Sequence, residues 1–147
     1  MNAFRPKDYT QAIQTHLGIL QGVIQRMAAN SGSGKAYCVT LVSAILVIVA
    51  DKGRPQYALI ALIPIILFSL LDTYYLGQEK AFRARYKDFV LKYHGNRLAI
   101  EDMYEIAPLG KFRKHLGAAF WSFSVIPFYV TLLGMVTLAK NLVIPAK

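Results

Sequence analysis

Residues 57–93 read YALIALIPIILFSLLDTYYLGQEKAFRARYKDFVLKY, and this stretch decides the fold. The first fifteen residues, 57–71, carry no charge, whereas charged residues are frequent after Asp72. Apolar residues continue through the charged part at helical spacing, at Phe82, Tyr86, Phe89, Val90 and Tyr93. The pattern predicts one long helix that leaves a membrane near Asp72 and continues into water.

The composition is typical of a small membrane protein, because a chain of 147 residues is 55% hydrophobic and yet carries a net charge of +9. Uncharged apolar runs occupy residues 36–50, 57–71 and 117–139. Only the third exceeds the roughly 20 residues that cross a hydrocarbon core of about 30 Å. Flanking residues that snorkel at the interface can lengthen the other two. We predict an all-α integral membrane protein with three transmembrane helices; a soluble helical bundle is the alternative.

The whole chain, 1–147, is predicted to be one membrane domain. Its elements are an amphipathic helix (8–30), a first transmembrane helix (35–50), a second (57–75), a cytoplasmic extension of the second (76–93), a cytoplasmic connection (94–116) and a third transmembrane helix (117–139).

Turn-forming residues set the predicted boundaries. The cluster Asn30-Ser31-Gly32-Ser33-Gly34-Lys35 is expected to break the chain between the amphipathic helix and the first span. Residues 51–55 predict a tight turn, so the first two spans form an antiparallel hairpin. Pro64 and Pro127 lie inside predicted spans, and we expect them to kink those helices.

The amphipathic helix carries a heptad-like apolar stripe on one face, formed by Ile13, Leu17, Leu20, Ile24 and Met27. Its polar face is rich in glutamine and only weakly charged, which disfavours adhesion to anionic lipid as its sole role. Two placements remain open. The helix either lies at the membrane interface or packs against the charged extension of the second span, and we favour packing.

The distribution of lysine and arginine predicts the orientation. Four lie in the first 35 residues, two in the 51–56 turn, nine in 73–116 and two in the tail. Positively charged segments stay in the cytoplasm, so the amino terminus is expected inside and the carboxyl terminus outside. The first twenty residues contain no continuous apolar stretch, and we expect no cleavable signal peptide.

One face of the long helix is expected to form a polar collar where the helix leaves the membrane. Glu79 and Arg83 are an acid-first pair at i, i+4, and an ionisable residue at the depth of Asp72 is a functional candidate. The collar receives another helix or subunit, or it takes part in conduction or sensing. Its members are Asp72, Tyr75, Glu79, Arg83 and Tyr86.

Catalytic and cofactor chemistry find little support in the sequence, and we predict no enzyme, no cofactor and no metal site. Cys38 is the single cysteine, and the three histidines are isolated from one another. Lys111, Arg113 and Lys114 adjoin the third span and are expected to contact anionic lipid headgroups rather than nucleic acid.

Two patches of the sequence resemble the small helical membrane proteins of bacterial conflict systems, the SLATT-like group and relatives such as the membrane accessory protein of RADAR loci. The first is residues 26–31 followed by Lys35. The second is residues 71–76 followed by Glu79, Phe82, Arg83 and Tyr86. Phe128 and Tyr129 are also similar to related proteins.

The resemblance implies an anti-phage defence protein that self-associates in the inner membrane and perturbs membrane integrity when activated. The alternative is a non-conducting membrane anchor that recruits a soluble defence protein through its cytoplasmic helices. Membrane lipids, further copies of the chain and a soluble defence protein are therefore the expected partners. Small-molecule transport is weaker, because three spans offer no inverted repeat.

Overall fold

The structure is a computed structural model that describes residues 9–143, and every regular element within that range is helical. Four α-helices are present: α1 (Thr10–Lys52), α2 (Leu62–His94), α3 (Phe112–Phe120) and α4 (Ile126–Leu138). Two 3₁₀ segments occupy Pro55–Ala61 and Glu101–Tyr104, and a π-helical turn, Ala139–Val143, follows α4. The prediction of an all-α fold is confirmed.

Helices α1 and α2 form an antiparallel hairpin that stays paired along its whole length. The predicted tight turn is present: Gly53 adopts a left-handed conformation with φ 60°, and its N–H donates to the carbonyl of Ala50 at 3.1 Å. Between the turn and the far end of the hairpin, the Cys38 thiol lies 3.8 Å from the Pro64 carbonyl oxygen. At the far end, Ile13 packs against Phe89. The favoured placement of the amino-terminal stripe, against the charged helix, is therefore confirmed.

The break predicted over residues 30–35 is wrong, because α1 continues through it without interruption. A glycine inside a helix costs about 1 kcal/mol relative to alanine, but packing against α2 offsets that cost. A β-carbon added to Gly34 would lie 3.7 Å from the Phe68 ring, so α2 approaches closely here. The predicted amphipathic helix and first span are one element of 43 residues.

The two prolines expected to kink spans lie instead in the first turns of helices. Pro64 is the third residue of α2, directly after the first 3₁₀ segment, and Pro127 is the second residue of α4. Proline is tolerated in a first turn because the amide it lacks would have no partner there. Helix α2 ends at His94, close to the predicted end, and Asn96 takes the left-handed conformation with φ 51°.

The single helix predicted over 117–139 is also wrong. Residues 121–125 separate α3 from α4. The amide of Trp121 donates to the Gly117 carbonyl at 3.2 Å, and the amide of Val125 donates to the Ser122 carbonyl at 3.0 Å, which closes a compact turn. Pro127 then starts a new helix, since it cannot continue one that is already formed.

Two separate cores divide the molecule into an apolar half and a polar half. The apolar half comprises residues 36–72 and α4; the polar half comprises residues 10–35, 73–94 and the connection 95–111. The core of the apolar half is formed by Cys38, Val42, Val49, Ala58, Ala61, Ile65, Val125, Tyr129, Leu132 and Val136. The smaller core of the polar half joins Ile13, Phe89 and Leu98.

The exterior of the apolar half is itself apolar. Two helical stretches, Thr10–Lys52 and Pro55–His94, are long and apolar enough to cross a membrane. In the most apolar 18-residue segment of each stretch, only 17% and 28% is buried, whereas the core helix of a soluble protein would be mostly buried. The large exposed side chains form a belt on all three helices and include Val47, Ile48, Ile63, Ile66, Leu70, Val130 and Met135.

Candidate functional site

A buried charge cluster lies where the apolar and polar halves meet. Ser31 and Lys35 are one turn apart on α1 and face Asp72 on α2. The Lys35 Nζ lies 2.6 Å from Asp72 Oδ2, and the Ser31 hydroxyl donates to Asp72 Oδ1. Lys35 Nζ also donates to Ser31 Oγ at 3.2 Å. Asp72 is only 1% exposed, so Lys35 and not water balances its charge.

Helix α4 closes this cluster from a third side. The Phe128 ring centroid lies 5.8 Å from Lys35 Nζ, which is a cation–π distance. The Tyr129 hydroxyl is buried and lies within electrostatic reach of the Asp72 carboxylate. We call Ser31, Lys35, Asp72 and Tyr129 the boundary cluster; it ties α1, α2 and α4 together at one level.

The boundary cluster is arranged for structure more than for chemistry. Both carboxylate oxygens of Asp72 are engaged, by Lys35 and by Ser31, so neither is left to bind a substrate. Within residues 9–143, no three His, Cys, Asp or Glu side chains come together as ligands for a metal ion. A neutral buried pair of this kind fixes the relative position of helices, and it becomes costly when one partner is lost.

The five residues of the predicted polar collar do not share one environment. Asp72 is buried, Tyr75, Glu79 and Tyr86 are partly buried, and Arg83 is exposed. The predicted pair is present, because Arg83 Nε lies 2.7 Å from Glu79 Oε1. Asp72, however, pairs with Lys35 of α1. Among residues 9–143 it forms no ion pair with Arg83.

The buried positions of α2 beyond Asp72 recur every four residues, at Thr73, Gly77, Ala81, Arg85 and Phe89. Each step of four residues turns the buried face by about 40°, because an α-helix has 3.6 residues per turn. A different element covers each stretch. Leu116 of α3 packs on Gly77, the Leu109 amide donates to the Ala81 carbonyl at 3.3 Å, and Ile13 packs on Phe89.

Arg85 is the residue of this face that the sequence pattern did not single out. Its guanidinium donates to both carboxylate oxygens of Glu105, at 2.7 and 3.1 Å, and to the Ala107 carbonyl at 2.9 Å. Its side chain is only 8% exposed. Bidentate pairing of this kind is geometrically specific, and it fastens the connection to α2.

A second ion pair fastens the connection to α2, closer to the end of that helix. Lys92 Nζ lies 2.7 Å from Asp102 Oδ1, and the Ala99 amide donates to Asp102 Oδ2 at 2.9 Å. Burial alone would raise the pKa of Asp102, but the hydrogen bonds from Lys92 and Ala99 outweigh it and lower that pKa. The same hydrogen bond raises the pKa of Lys92. Both groups therefore stay charged near neutral pH.

An open groove of about 810 Å³ lies between the start of α1 and residues 100–106. His16 lines it, is buried, and stacks on Phe89 with ring centroids 4.4 Å apart. Burial lowers the pKa of His16, and the nearby charge of Arg85 adds to this, against the opposing influence of the Met103 carbonyl and Asp102. The imidazole is therefore held neutral. Tyr104, at the groove's edge, is 81% exposed.

The three cations predicted to meet lipid headgroups are all accessible. Lys111, Arg113 and Lys114 are exposed around the first turn of α3. They lie apart from the boundary cluster in sequence, and α3 holds them beside the part of α2 that follows Asp72.

No family model, no curated protein and no solved structure matches the chain.

Proposed function

We propose that this chain is a multi-pass membrane protein whose apolar half anchors the rigid polar half at the cytoplasmic surface, where it recruits a soluble partner. In line with the sequence resemblance, we place that role in bacterial anti-phage defence. The proposal makes the protein a binding scaffold and not an enzyme.

The observation that carries the proposal is the contrast between the two exteriors. Apolar side chains face outward on all three helices of the apolar half. Contact of such a surface with water is unfavourable, whereas contact with lipid is not. Beyond the boundary cluster, α1 continues for 25 residues from Thr10 to Lys35, a length of about 37 Å at 1.5 Å per residue. A polar part of that size, fastened by buried Arg85, is suited to binding another protein.

Three crossings are supported by where α4 lies. Phe128, near its start, contacts Lys35, and Val136, near its end, belongs to the same core as Ala58. Helix α4 and the following π-helical turn therefore extend from the boundary cluster to the hairpin turn. With the amino terminus inside, as the lysine and arginine distribution predicts, the carboxyl terminus lies outside.

Conduction is the weaker proposal because the apolar half offers little polar surface. The hydroxyls of Thr40, Ser69 and Thr137 donate to backbone carbonyls of their own helices, at 3.0, 2.8 and 2.9 Å. A hydroxyl used in this way is less available to line a water-filled path. Asp72 is likewise engaged by Lys35 and Ser31.

Self-association that perturbs the membrane remains the second candidate. The observation that favours it is the breadth of the exposed apolar belt, which another copy of the chain can cover as well as lipid can. In that candidate, several copies rearrange around the boundary cluster when activated.

The two candidates separate in one experiment. The chain is induced alone in bacterial cells, and membrane potential and dye entry are followed; it is then induced with the proteins encoded beside it. The anchor proposal predicts intact membranes in the first case. In the second, it predicts a soluble neighbour that sediments with membranes only when the chain is present.

The matched variants are Arg85→Met and Arg83→Met, on the same helix. Arg85 fastens the connection and is nearly buried, whereas Arg83 is 61% exposed. Recruitment is expected to fall with Arg85→Met and to persist with Arg83→Met. Rapid depolarisation by the chain alone would contradict the anchor proposal and support the second candidate. Release of the chain from membranes by alkaline carbonate would contradict both.

A further inference from the structure

The surface around α3 combines positive charge with exposed aromatic rings. Lys111, Arg113 and Lys114 are exposed and take part in no ion pair with any residue of 9–143. No aspartate or glutamate follows Glu105 in the sequence. The positive charge of this segment is therefore not balanced locally.

This charge is also unfavourable for the helix that carries it. The three cations stand at the amino-terminal end of α3, where the helix dipole favours negative groups. The residue that caps the helix start, Lys111, makes no side-chain capping hydrogen bond. An external anion would relieve a repulsion that the fold itself leaves in place.

Three contacts hold α3 against α2. A β-carbon added to Gly77 would lie 3.4 Å from the Leu116 Cα, which is van der Waals contact, so the two helices pack closely. The Phe112 ring stacks edge-on against Tyr74 with centroids 5.7 Å apart. Lys80 Nζ donates to the Ala118 carbonyl at 2.8 Å. The basic turn is therefore fixed beside α2 just beyond Asp72, where the apolar belt ends.

Exposed aromatic residues continue the same surface at the other end of α3. Phe120, Trp121 and Phe123 are 49%, 77% and 90% exposed. Aromatic rings concentrate at the depth of lipid headgroups, where an apolar ring can be buried and a polar edge stays wet. The turn that carries Trp121 and Phe123 leads directly into α4.

We infer that α3 and the following turn form a binding surface for anionic phospholipid. In this inference Lys111, Arg113 and Lys114 bind headgroup phosphates, and Trp121 and Phe123 lie in the interface. It rests on the proposed membrane location and adds the lipid class and the residues that recognise it. Each cation close to an anionic leaflet strengthens association by about fivefold.

The first test measures lipid binding to the full-length protein in detergent by native mass spectrometry. Phosphatidylglycerol is titrated against phosphatidylcholine. The triple variant Lys111→Gln, Arg113→Gln, Lys114→Gln is compared with a control that loses the same charge elsewhere, Lys52→Gln, Lys87→Gln, Arg97→Gln, at three exposed positions. We expect the triple variant to bind phosphatidylglycerol at least tenfold more weakly and the control to stay within twofold of wild type.

Equal binding by wild type and the triple variant, or an equal loss in the control, would overturn the inference. The second test needs no variant, because Trp121 is the only tryptophan. In vesicles of mixed phosphatidylglycerol and phosphatidylcholine, nitroxide-labelled lipids are expected to quench its fluorescence most when the label is at the headgroup. Strongest quenching by a label deep in the acyl chain, or none at all, would overturn it.

The outcomes also separate this inference from the proposed function. A chain that leaves the membrane fraction under carbonate contradicts the proposed function and removes the basis of the inference with it. A chain that stays in the membrane, but shows neither lipid preference nor shallow quenching, contradicts only the inference.

Discussion

The boundary between the two halves and the polar half itself contain ion pairs of opposite character. At the boundary there is one, Lys35 with Asp72, in which the carboxylate is completely buried and the cation is 19% exposed. The polar half has several that reach water, such as Lys92 with Asp102 and Arg83 with Glu79. Only Arg85, at 8% exposure, departs from this rule.

The difference shows that the number of ion pairs is a poor guide to what stabilises this fold. Exposed pairs contribute about 0–1 kcal/mol because water and salt screen them. A buried charge that loses its partner costs about 3–5 kcal/mol, since the remaining group cannot be solvated. The buried pair at the boundary should therefore dominate the response to substitution.

The largest effect is expected from Lys35→Met. It leaves the Asp72 carboxylate buried without a cation, which should cost about 3–5 kcal/mol, measured by unfolding in mixed micelles of increasing denaturing detergent. Asp72→Asn should cost less, because Lys35 is partly exposed and its long side chain can reach water. The double variant should be less destabilised than the two single variants together.

Lys52→Met is the matched control for that comparison. Lys52 also pairs with an aspartate, Asp51, but at 3.8 Å and with both side chains at least 70% exposed. Its removal should leave the unfolding midpoint nearly unchanged. Equal destabilisation by Lys35→Met and Lys52→Met would contradict the assigned importance of burial.

An intermediate effect is expected from Arg85→Met in the polar half. Glu105 is half exposed and can be solvated, so the cost should be about 1–3 kcal/mol and mainly the lost hydrogen bonds. Hydrogen exchange should accelerate over residues 99–109 and not over α4. Faster exchange throughout the chain would mean that Arg85 stabilises the whole fold, and the two halves would then not be separable.

The smallest effect is expected from acidification at His16. Its lowered pKa means that the unfolded chain binds the proton more readily near pH 6.5, so stability is retained above that pH and falls as pH decreases through it. The melting temperature of wild type, followed by circular dichroism, should therefore drop more between pH 7.5 and 5.5 than that of His16→Gln. The same drop in both would exclude His16 as the titrating group.

Much of the fold could be predicted from periodicity and turn chemistry. The hairpin, its turn at Gly53, the end of α2 and the stripe led by Ile13 follow from residue patterns. The interruption of the third apolar run at residues 121–125 could not, because no charge marks it and Pro127 is equally compatible with a kink inside one helix.

The boundary cluster could be predicted in part from the sequence. The position of Asp72 at the end of an apolar run makes it a candidate from the sequence, but no local pattern identifies its partner. Lys35 precedes Gly53 by eighteen residues and Asp72 follows it by nineteen, so an antiparallel hairpin brings them level. The supposed break at Ser31 to Lys35 concealed this register, because a hinge would have removed the helix that carries both partners. The burial of Arg85 could not be predicted, because its neighbours in the sequence include many charged residues that are exposed or only partly buried.

The unbroken course of α1 has a mechanical consequence. In the proposed membrane placement, a helix that runs through the boundary without a hinge acts as a lever, with one arm in lipid and the other, about 37 Å long, in water. A change in bilayer thickness that tilts the lipid arm by about 10° would swing Thr10 by about 6 Å. Because α2 is paired with α1 along its length, the groove beside His16 would move with it. A partner docked on the polar half would thus be displaced when the thickness of the membrane changes.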